Sequence, residues 1–371
     1  MFAKKNLVAV AALLAVAGAA QAQSSVKLYG MIDAGLASLE DAHAKGDKAR
    51  TTQVTSGAMQ TSYFGLAGVE DLGGGLKAEF ALESFLNADT GRTAPNYAGG
   101  FWGRGSWVGL TGGFGRVALG QYDNPLFTSG YTYNPFGSSM VVSPTMRHFY
   151  SSAASLGFDT GWVNSVTYES PVLSGFQAVA QYAAKESTAS SSKNSYALAG
   201  SYNAGPLSVA LTYVKAGNTS VANGTSTFTQ TAYMADQKVW NLGASYDFGV
   251  LKAFAQYTDV KTTGGLDIDT SVSPNTAVIA SGLKEKNKIW QLGVSVPVTD
   301  KAAVMASFGQ NKYKQAPGAD SSKDEVFSVG YDYNLSKRTD VYAAFINNRK
   351  SANTGLEASG QSYAVGLRHN F

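Results

Sequence analysis

The sequence contains no cysteine, and only three histidines and nine prolines occur among its 371 residues. The absence of cysteine excludes disulfide frameworks, thiolate metal sites and thiol catalysis. After residue 22, no apolar run reaches 18 residues, which excludes a membrane-spanning helix from the rest of the chain. If this chain lives in a membrane, it must cross it with strands.

The longest apolar run lies at the N-terminus and is typical of an export signal. Lys4 and Lys5 precede an uncharged stretch of mostly Ala, Leu and Val, and Ala20-Gln21-Ala22 provides a small-x-small cleavage site. We therefore predict a cleaved signal peptide over residues 1–22 and a single exported domain over residues 23–371.

Glycine and aromatic residues are abundant, with 41 Gly, 20 Tyr and 18 Phe. This mixture is typical of many short strands, tight turns and aromatic girdles. Removal of residues 1–22 takes two of the 29 basic residues, and the 27 that remain nearly balance 26 acidic residues. A nearly neutral body argues against nucleic acid as a partner.

Alternating segments of roughly ten residues recur between turn clusters from residue 25 onward. In the first segment, Val26, Leu28 and Leu36 share one face, whereas Lys27 and Asp33 lie on the other. In the clearest segments every Lys, Asp and Glu falls on the second face, which avoids a cost of about 2–4 kcal/mol for a charge facing lipid near the membrane midplane. A soluble β-sandwich also alternates and stays as the alternative. The separation of charge favours an all-β fold, a transmembrane antiparallel β-barrel.

An aromatic-x-apolar motif followed by Gly recurs in the second half of the chain, starting at Tyr196, Trp240, Trp290, Phe327 and Tyr363. A short turn soon follows each of the first four copies, so the motif marks the same strand of successive hairpins. Short turns at one end and long polar loops at the other are expected of periplasmic turns and extracellular loops. We predict about sixteen strands, enough to enclose a water-filled lumen. They lie near residues 25–37, 60–71, 75–86, 104–111, 115–122, 161–170, 175–185, 194–203, 206–215, 237–248, 250–260, 287–297, 301–312, 324–335, 339–349 and 360–371.

One segment, residues 123–160, is too long and irregular for a turn or a strand. Loops of this length are uncommon unless they are functional or disordered, and its many Tyr and Phe residues argue against plain disorder. Folded into the lumen, this loop would narrow the pore.

Several motifs together resemble the general diffusion porins of Gram-negative bacteria, of the beta-proteobacterial type. The similarity covers the mature chain and includes Val26-Lys27-Leu28-Tyr29-Gly30-Met31-Ile32-Asp33, Gly68-Val69-Glu70-Asp71-Leu72-Gly73, Trp107-Val108-Gly109-Leu110, Asn164-Ser165-Val166-Thr167-Tyr168-Glu169 and the terminal Phe371. The resemblance implies a sixteen-stranded homotrimer in the outer membrane, in contact with its lipid, that passes ions and small hydrophilic solutes. It also implies that residues 123–160 fold inward as a constriction, with acidic loop groups facing basic wall groups. Phe371 would then serve as the assembly signal.

The basic residues that line the pore wall in this family are only partly present in this chain. Arg104, three residues before Trp107, matches a wall arginine of the family, but Tyr63, Ala67, Gln121 and Gly161 stand where basic residues are common. We therefore expect a weaker anion preference than in relatives, because selectivity follows the local charge balance. The candidate pore residues are Arg104, Lys27, Lys77 and Arg116 on the wall, Arg147 on the loop, Tyr63, and the offsetting carboxylates Asp33, Glu79, Glu83, Asp123 and Glu169.

Three other interpretations compete with a plain pore. An outer-membrane hydrolase would need a catalytic constellation, and the best candidate is the loop histidine His148, which is more simply a pore-lining or packing residue. Asp267 and Asp269 are a weak pattern for a divalent cation, so we predict no metal and no cofactor. The alternative to a pore is a surface adhesin, in which the long polar loops would carry the function.

Overall fold

A computed structural model describes residues 25–40, 42–44, 50–93, 100–150, 160–185, 193–221, 233–264, 283–314, 321–352 and 357–371. Its strands are β1 (Ser25–Glu40), β2 (His43–Ala44), β3 (Arg50–Ser56), β4 (Tyr63–Gly73), β5 (Leu76–Asn87), β6 (Arg92–Thr93), β7 (Gly105–Gly112), β8 (Gly115–Asp123), β9 (Gly161–Glu169), β10 (Phe176–Ala183), β11 (Ser195–Ala204), β12 (Leu207–Val221), β13 (Tyr233–Asp247), β14 (Lys252–Gly264), β15 (Leu283–Thr299), β16 (Ala302–Lys314), β17 (Ser321–Asn334), β18 (Thr339–Ala352) and β19 (Glu357–Asn370). Two helices, α1 (Pro125–Thr132) and α2 (Pro144–Tyr150), lie between β8 and β9.

The sheet closes on itself as an antiparallel barrel of sixteen strands. β1 pairs with β4 on one side and with the last strand, β19, on the other. The short strands β2, β3 and β6 pair with β19, β1 and β5 and are not counted among the sixteen. At the seam the amide of Phe371 donates to the carbonyl of Gly30 at 3.1 Å, so the last residue completes the closure.

The predicted two-residue period is confirmed on both faces of the wall. Large apolar side chains point outward, and Leu28 and Leu36 keep 65% and 57% of their surface exposed. Intervening residues of the same strand, such as Met31 and Asp33, are buried. The aromatic motif falls on β11, β13, β15, β17 and β19, which run in the same direction, and the first four of these strands end at short turns, as predicted.

The predicted second strand, over residues 60–71, corresponds to β4. The structure adds β3 before it, which was not predicted, and residues 57–62 bend inward between the two strands. The bend is held by the buried carboxylate of Asp33, which accepts hydrogen bonds from the amides of Met59 at 2.9 Å and Gln60 at 2.6 Å. A local alternation pattern does not report this contact, because Asp33 lies on the neighbouring strand.

Among the described residues, neither helix is long and apolar enough to cross a membrane. The predicted signal peptide over residues 1–22 lies outside the described part of the chain, as do Asp267 and Asp269.

The constriction and its charged wall

The loop between β8 and β9 lies inside the barrel. It starts at Asn124, whose side chain caps α1 by accepting from the amide of Leu126 at 2.9 Å. The same side chain donates to Gln181 on the inner wall at 3.2 Å. Since the N-cap side chain serves both the helix and the wall, it fixes where α1 enters the lumen.

Hydrogen bonds to distant strands hold the loop across the lumen. The hydroxyl of Ser139 donates to the carbonyl of Ala58 at 3.0 Å, and the hydroxyl of Ser328 on β17 donates to the carbonyl of Val142 at 2.6 Å. Gln256 on β14 donates to the carbonyl of Gly130 at 3.0 Å. These contacts reach several parts of the inner wall, so the loop is tethered both at α1 and at its tip.

The second loop helix, α2, packs against the inner wall. Phe149, Met146 and His148 are fully buried, and Phe149 joins a cluster with Leu126 and Val239. Burial lowers the pKa of the His148 imidazole below its usual value of 6.5. His148 is therefore part of the packing between loop and wall.

Arg104, immediately before β7, lies in an aromatic and acidic surrounding. Its guanidinium forms an ion pair with Glu83 on β5, and its centre lies 3.9 Å from the ring centroid of Tyr63. Tyr29 donates to the other Glu83 oxygen at 2.6 Å. Tyr63 thus supports the arginine by a cation–π contact.

A second charged cluster surrounds Arg116 on β8. Its guanidinium lies 2.9 Å from the carboxylate of Glu79 and 3.0 Å from that of Glu169. The hydroxyl of Tyr122 donates to Glu169 at 2.9 Å. One arginine thus holds two carboxylates, from β5 and β9, on the inner wall.

Sequence reasoning missed a third arginine, Arg368 on β19. It lies 3.1 Å from Asp340 and 3.3 Å from Asp332, and it donates to the side chain of Gln60 at 3.4 Å. The signal was available, because the odd positions of the last strand are apolar and face outward, so the even position of Arg368 faces inward.

The remaining candidates lie in different places. Asp33 is fully buried behind the inward bend. Lys27 and Lys77 are exposed near the short-turn ends of β1 and β5, so they are not brought to the loop. Arg147 lies on α2 and donates to the carbonyl of Val141 within the same loop at 3.1 Å.

A lumenal cavity of about 390 Å³ brings the wall and the loop together. Among the described residues, its charged lining comprises two cations, Arg104 and Arg368, and two carboxylates, Asp123 and Asp332. Aromatic rings of the loop complete it, including Phe127 and Tyr131. This is the arrangement of an aqueous passage that is narrowed by an inward loop and lined with balanced charge.

Family comparison agrees with this geometry. A family model described as "Gram-negative porin" matches residues 9–353. The chain is a member of the Gram-negative porin family. It is 35% identical to outer membrane porin protein 32 of Delftia acidovorans and 32% identical to an outer membrane porin protein of Bordetella pertussis, with 99% of this chain and 100% of each relative covered.

Solved structures give the same result. An anion-selective porin from Comamonas acidovorans superposes with a TM-score of 0.73 at 27% identity, over 94% of this chain and all of the other. The chain is therefore an outer-membrane porin that forms a diffusion channel and is not an enzyme. This outcome confirms the predicted fold, location and channel function, and it removes the support for the hydrolase and adhesin alternatives.

Proposed function

We propose that this porin is a general diffusion pore with weak ion selectivity, set by arginines that are neutralised on the lumenal wall. The observation that carries the proposal is the equal number of cations and carboxylates among the described residues around the cavity beside the loop. Each wall arginine also has at least one carboxylate within 4.0 Å, namely Glu83, Glu79 with Glu169, or Asp332 with Asp340. Along the wall these five carboxylates outnumber the three arginines, but the charges described around the cavity are equal in number, so we expect only a weak net potential there.

The solved relative from Comamonas acidovorans is described as anion-selective. In the present chain Tyr63, Ala67, Gln121 and Gly161 occupy positions where porins often place basic residues, which supports a weaker anion preference. We expect the permeabilities for potassium and chloride to differ by no more than roughly threefold, equivalent to about 0.7 kcal/mol.

Removing either charge of the Arg104–Glu83 pair tests whether this pair sets the ion selectivity. Arg104→Ala leaves Glu83 without its cation and should shift the zero-current potential toward cation preference, whereas Glu83→Gln should shift it toward anion preference. Lys301→Gln, in the exposed turn between β15 and β16, is a matched control that should leave the potential unchanged. Equal potentials for all three variants would show that Arg104 and Glu83 do not set selectivity.

We also propose that the mature porin begins at Gln23 and assembles as a homotrimer. The family resemblance supports this assembly, and a porin-fold protein, OmpT of Vibrio cholerae, is described in a trimer form. N-terminal sequencing of protein from the outer membrane tests the cleavage site. Light scattering in detergent tests the assembly, since a mass equal to one chain would contradict a trimer.

A further inference from the structure

The loop helix α1 separates two cavities of the lumen. Phe127 and Tyr131 lie on one side of the helix and line the cavity described above. Pro125, Thr128 and Thr132 follow one another at helical spacing on another side, and they line a second cavity of about 220 Å³. We call this second cavity the α1 pocket. It has space for roughly seven water molecules, which is about the size of one sugar ring.

Three neighbouring strands, β10, β11 and β12, form the floor of the α1 pocket. Strand register places Gln177 beside Ser201, and Asn203 beside Ser208. All four side chains line the pocket, and the small side chain of Ala199 leaves space between them and α1. The floor is therefore a patch of neutral groups that donate and accept hydrogen bonds.

Hydroxyl groups also line the side of the pocket that α1 provides. Thr128 and Thr132 are both exposed to the lumen. The Thr132 hydroxyl donates to the carbonyl of Thr128 at 2.7 Å, and its oxygen can still accept a hydrogen bond from a solute. A solute between α1 and the wall can therefore form hydrogen bonds on two sides.

Thr212 on β12 contributes a buried hydroxyl to the same pocket. It lines the pocket and is only 1% exposed. Among the described residues, its hydroxyl has no hydrogen-bond partner. Since buried hydroxyls in folded proteins are nearly always hydrogen-bonded, this group indicates that a polar molecule, a water or a solute, occupies the pocket.

The charge of the α1 pocket differs from that of the cavity on the other side of α1. Its described lining includes two carboxylates, Asp123 and Glu169, and neither Lys nor Arg. Arg116 lies 3.0 Å from Glu169, but it also lies 2.9 Å from Glu79, so these three groups together carry a net negative charge. The pocket therefore favours a cation, whereas the described lining of the other cavity is balanced.

We propose that the α1 pocket binds an amino sugar, a solute that carries one ammonium group and several hydroxyls on a single ring. The ammonium lies beside Asp123 and Glu169, and the ring hydroxyls exchange hydrogen bonds with the floor and with α1. A neutral sugar lacks the first contact, and a simple alkylammonium lacks the second. Binding in this pocket goes beyond the ion selectivity proposed above, which depends on Arg104 and Glu83 and is measured as the zero-current potential.

Partial block of the single-channel current measures this binding. The mature porin is recorded in a planar bilayer with glucosamine, glucose or cyclohexylammonium at about pH 6, where both amines are charged. Glucose lacks the charge, and cyclohexylammonium lacks the hydroxyls. We expect glucosamine to bind at least about threefold more tightly than either of the other two solutes. Block by glucosamine no stronger than that by glucose or by cyclohexylammonium would overturn the proposal, as would no block by glucosamine.

A double variant tests the hydroxyls on both sides of the pocket. Ser201→Ala/Thr132→Ala removes one hydroxyl from the floor and one from α1. Ser245→Ala/Thr263→Ala, on β13 and β14, is the control and lies outside the described lining of the pocket. We expect the test variant to bind glucosamine at least about fivefold more weakly and the control to keep the affinity of the unmodified protein. Equal affinities of the two double variants would contradict binding in the α1 pocket.

A single variant tests the role of the carboxylates. Asp123→Asn should remove the preference for glucosamine over glucose, because it removes a charge that faces the α1 pocket. Asp332→Asn is the matched control, since it removes a carboxylate that lines only the described part of the other cavity. It should keep the preference. The same loss of preference in both variants would show that the overall charge of the lumen, and not the α1 pocket, selects the amino sugar.

Discussion

A single carboxylate, that of Asp33, holds the inward bend between β3 and β4. It is fully buried, and besides the amides of Met59 and Gln60 it accepts from the hydroxyl of Tyr342 on β18. Gln60 contacts Arg368 and lines the lumenal cavity. Asp33 therefore influences the passage through the backbone that it positions.

Replacement of Asp33 should destabilise the barrel. Asp33→Ala leaves two amides and one hydroxyl without their acceptor, and each such buried group costs about 1–3 kcal/mol. We expect a clearly lower unfolding temperature, measured by the heat-dependent shift of the folded barrel on SDS gels. Asp300→Ala, in an exposed turn, is the control. A shift no larger than that of the control would contradict the structural role of Asp33.

His148 gives the loop a dependence on pH. Its lowered pKa keeps the imidazole neutral in the folded protein, whereas the unfolded chain takes up a proton near pH 6.5. The unfolded state thus binds more protons as pH falls, so its contribution to stability is present above about pH 6.5 and is lost progressively below it.

We expect the unfolding temperature to fall between about pH 7.5 and about pH 5, and the fall to be smaller in His148→Gln. His369→Gln is the matched control, because His369 is exposed on β19. An unchanged pH dependence in the His148 variant would show that this histidine does not couple the loop to pH.

At the scale of elements, sequence reasoning located the strands but not the loop helices. Strand alternation is a local pattern, so it predicts β5, β8 and β16 within two residues of their ends. The helices α1 and α2 are only eight and seven residues long and are stabilised by packing into the lumen. No local pattern reports such packing.

The charged site was likewise predicted only in part. The alternation of side chains along each strand predicted that Arg116 and Glu79 lie on the inner face. Which arginine pairs with which carboxylate depends on strand register, which this alternation does not give. The Arg104–Glu83 pair joins a residue just before β7 to the middle of β5, which the sequence alone does not specify.

The tethers of the loop tip should control its motion. Ser139→Ala/Ser328→Ala removes the bonds to Ala58 and Val142, each worth about 1 kcal/mol. We expect larger fluctuations of the open-channel current, recorded from single channels in a planar bilayer. Ser321→Ala/Ser359→Ala is the control, on strand ends away from the loop tip. Identical current noise in both double variants would show that the two serines do not restrain the loop.

At the scale of the whole molecule, the two faces of the wall serve different purposes. The outer face carries an apolar band and an aromatic girdle, which match the layers of a membrane. The inner face carries the loop and three arginines paired with carboxylates. The central claim is that this wall encloses an aqueous passage in which the charges described around the cavity beside the loop are balanced.

The most direct test is the single-channel current of the purified mature protein in a planar bilayer, recorded with the zero-current potential across a KCl gradient. The structure predicts stepwise openings and a potential that corresponds to potassium and chloride permeabilities within roughly a factor of three. A correctly folded barrel without conductance, or one with strong selectivity for either ion, would contradict the account.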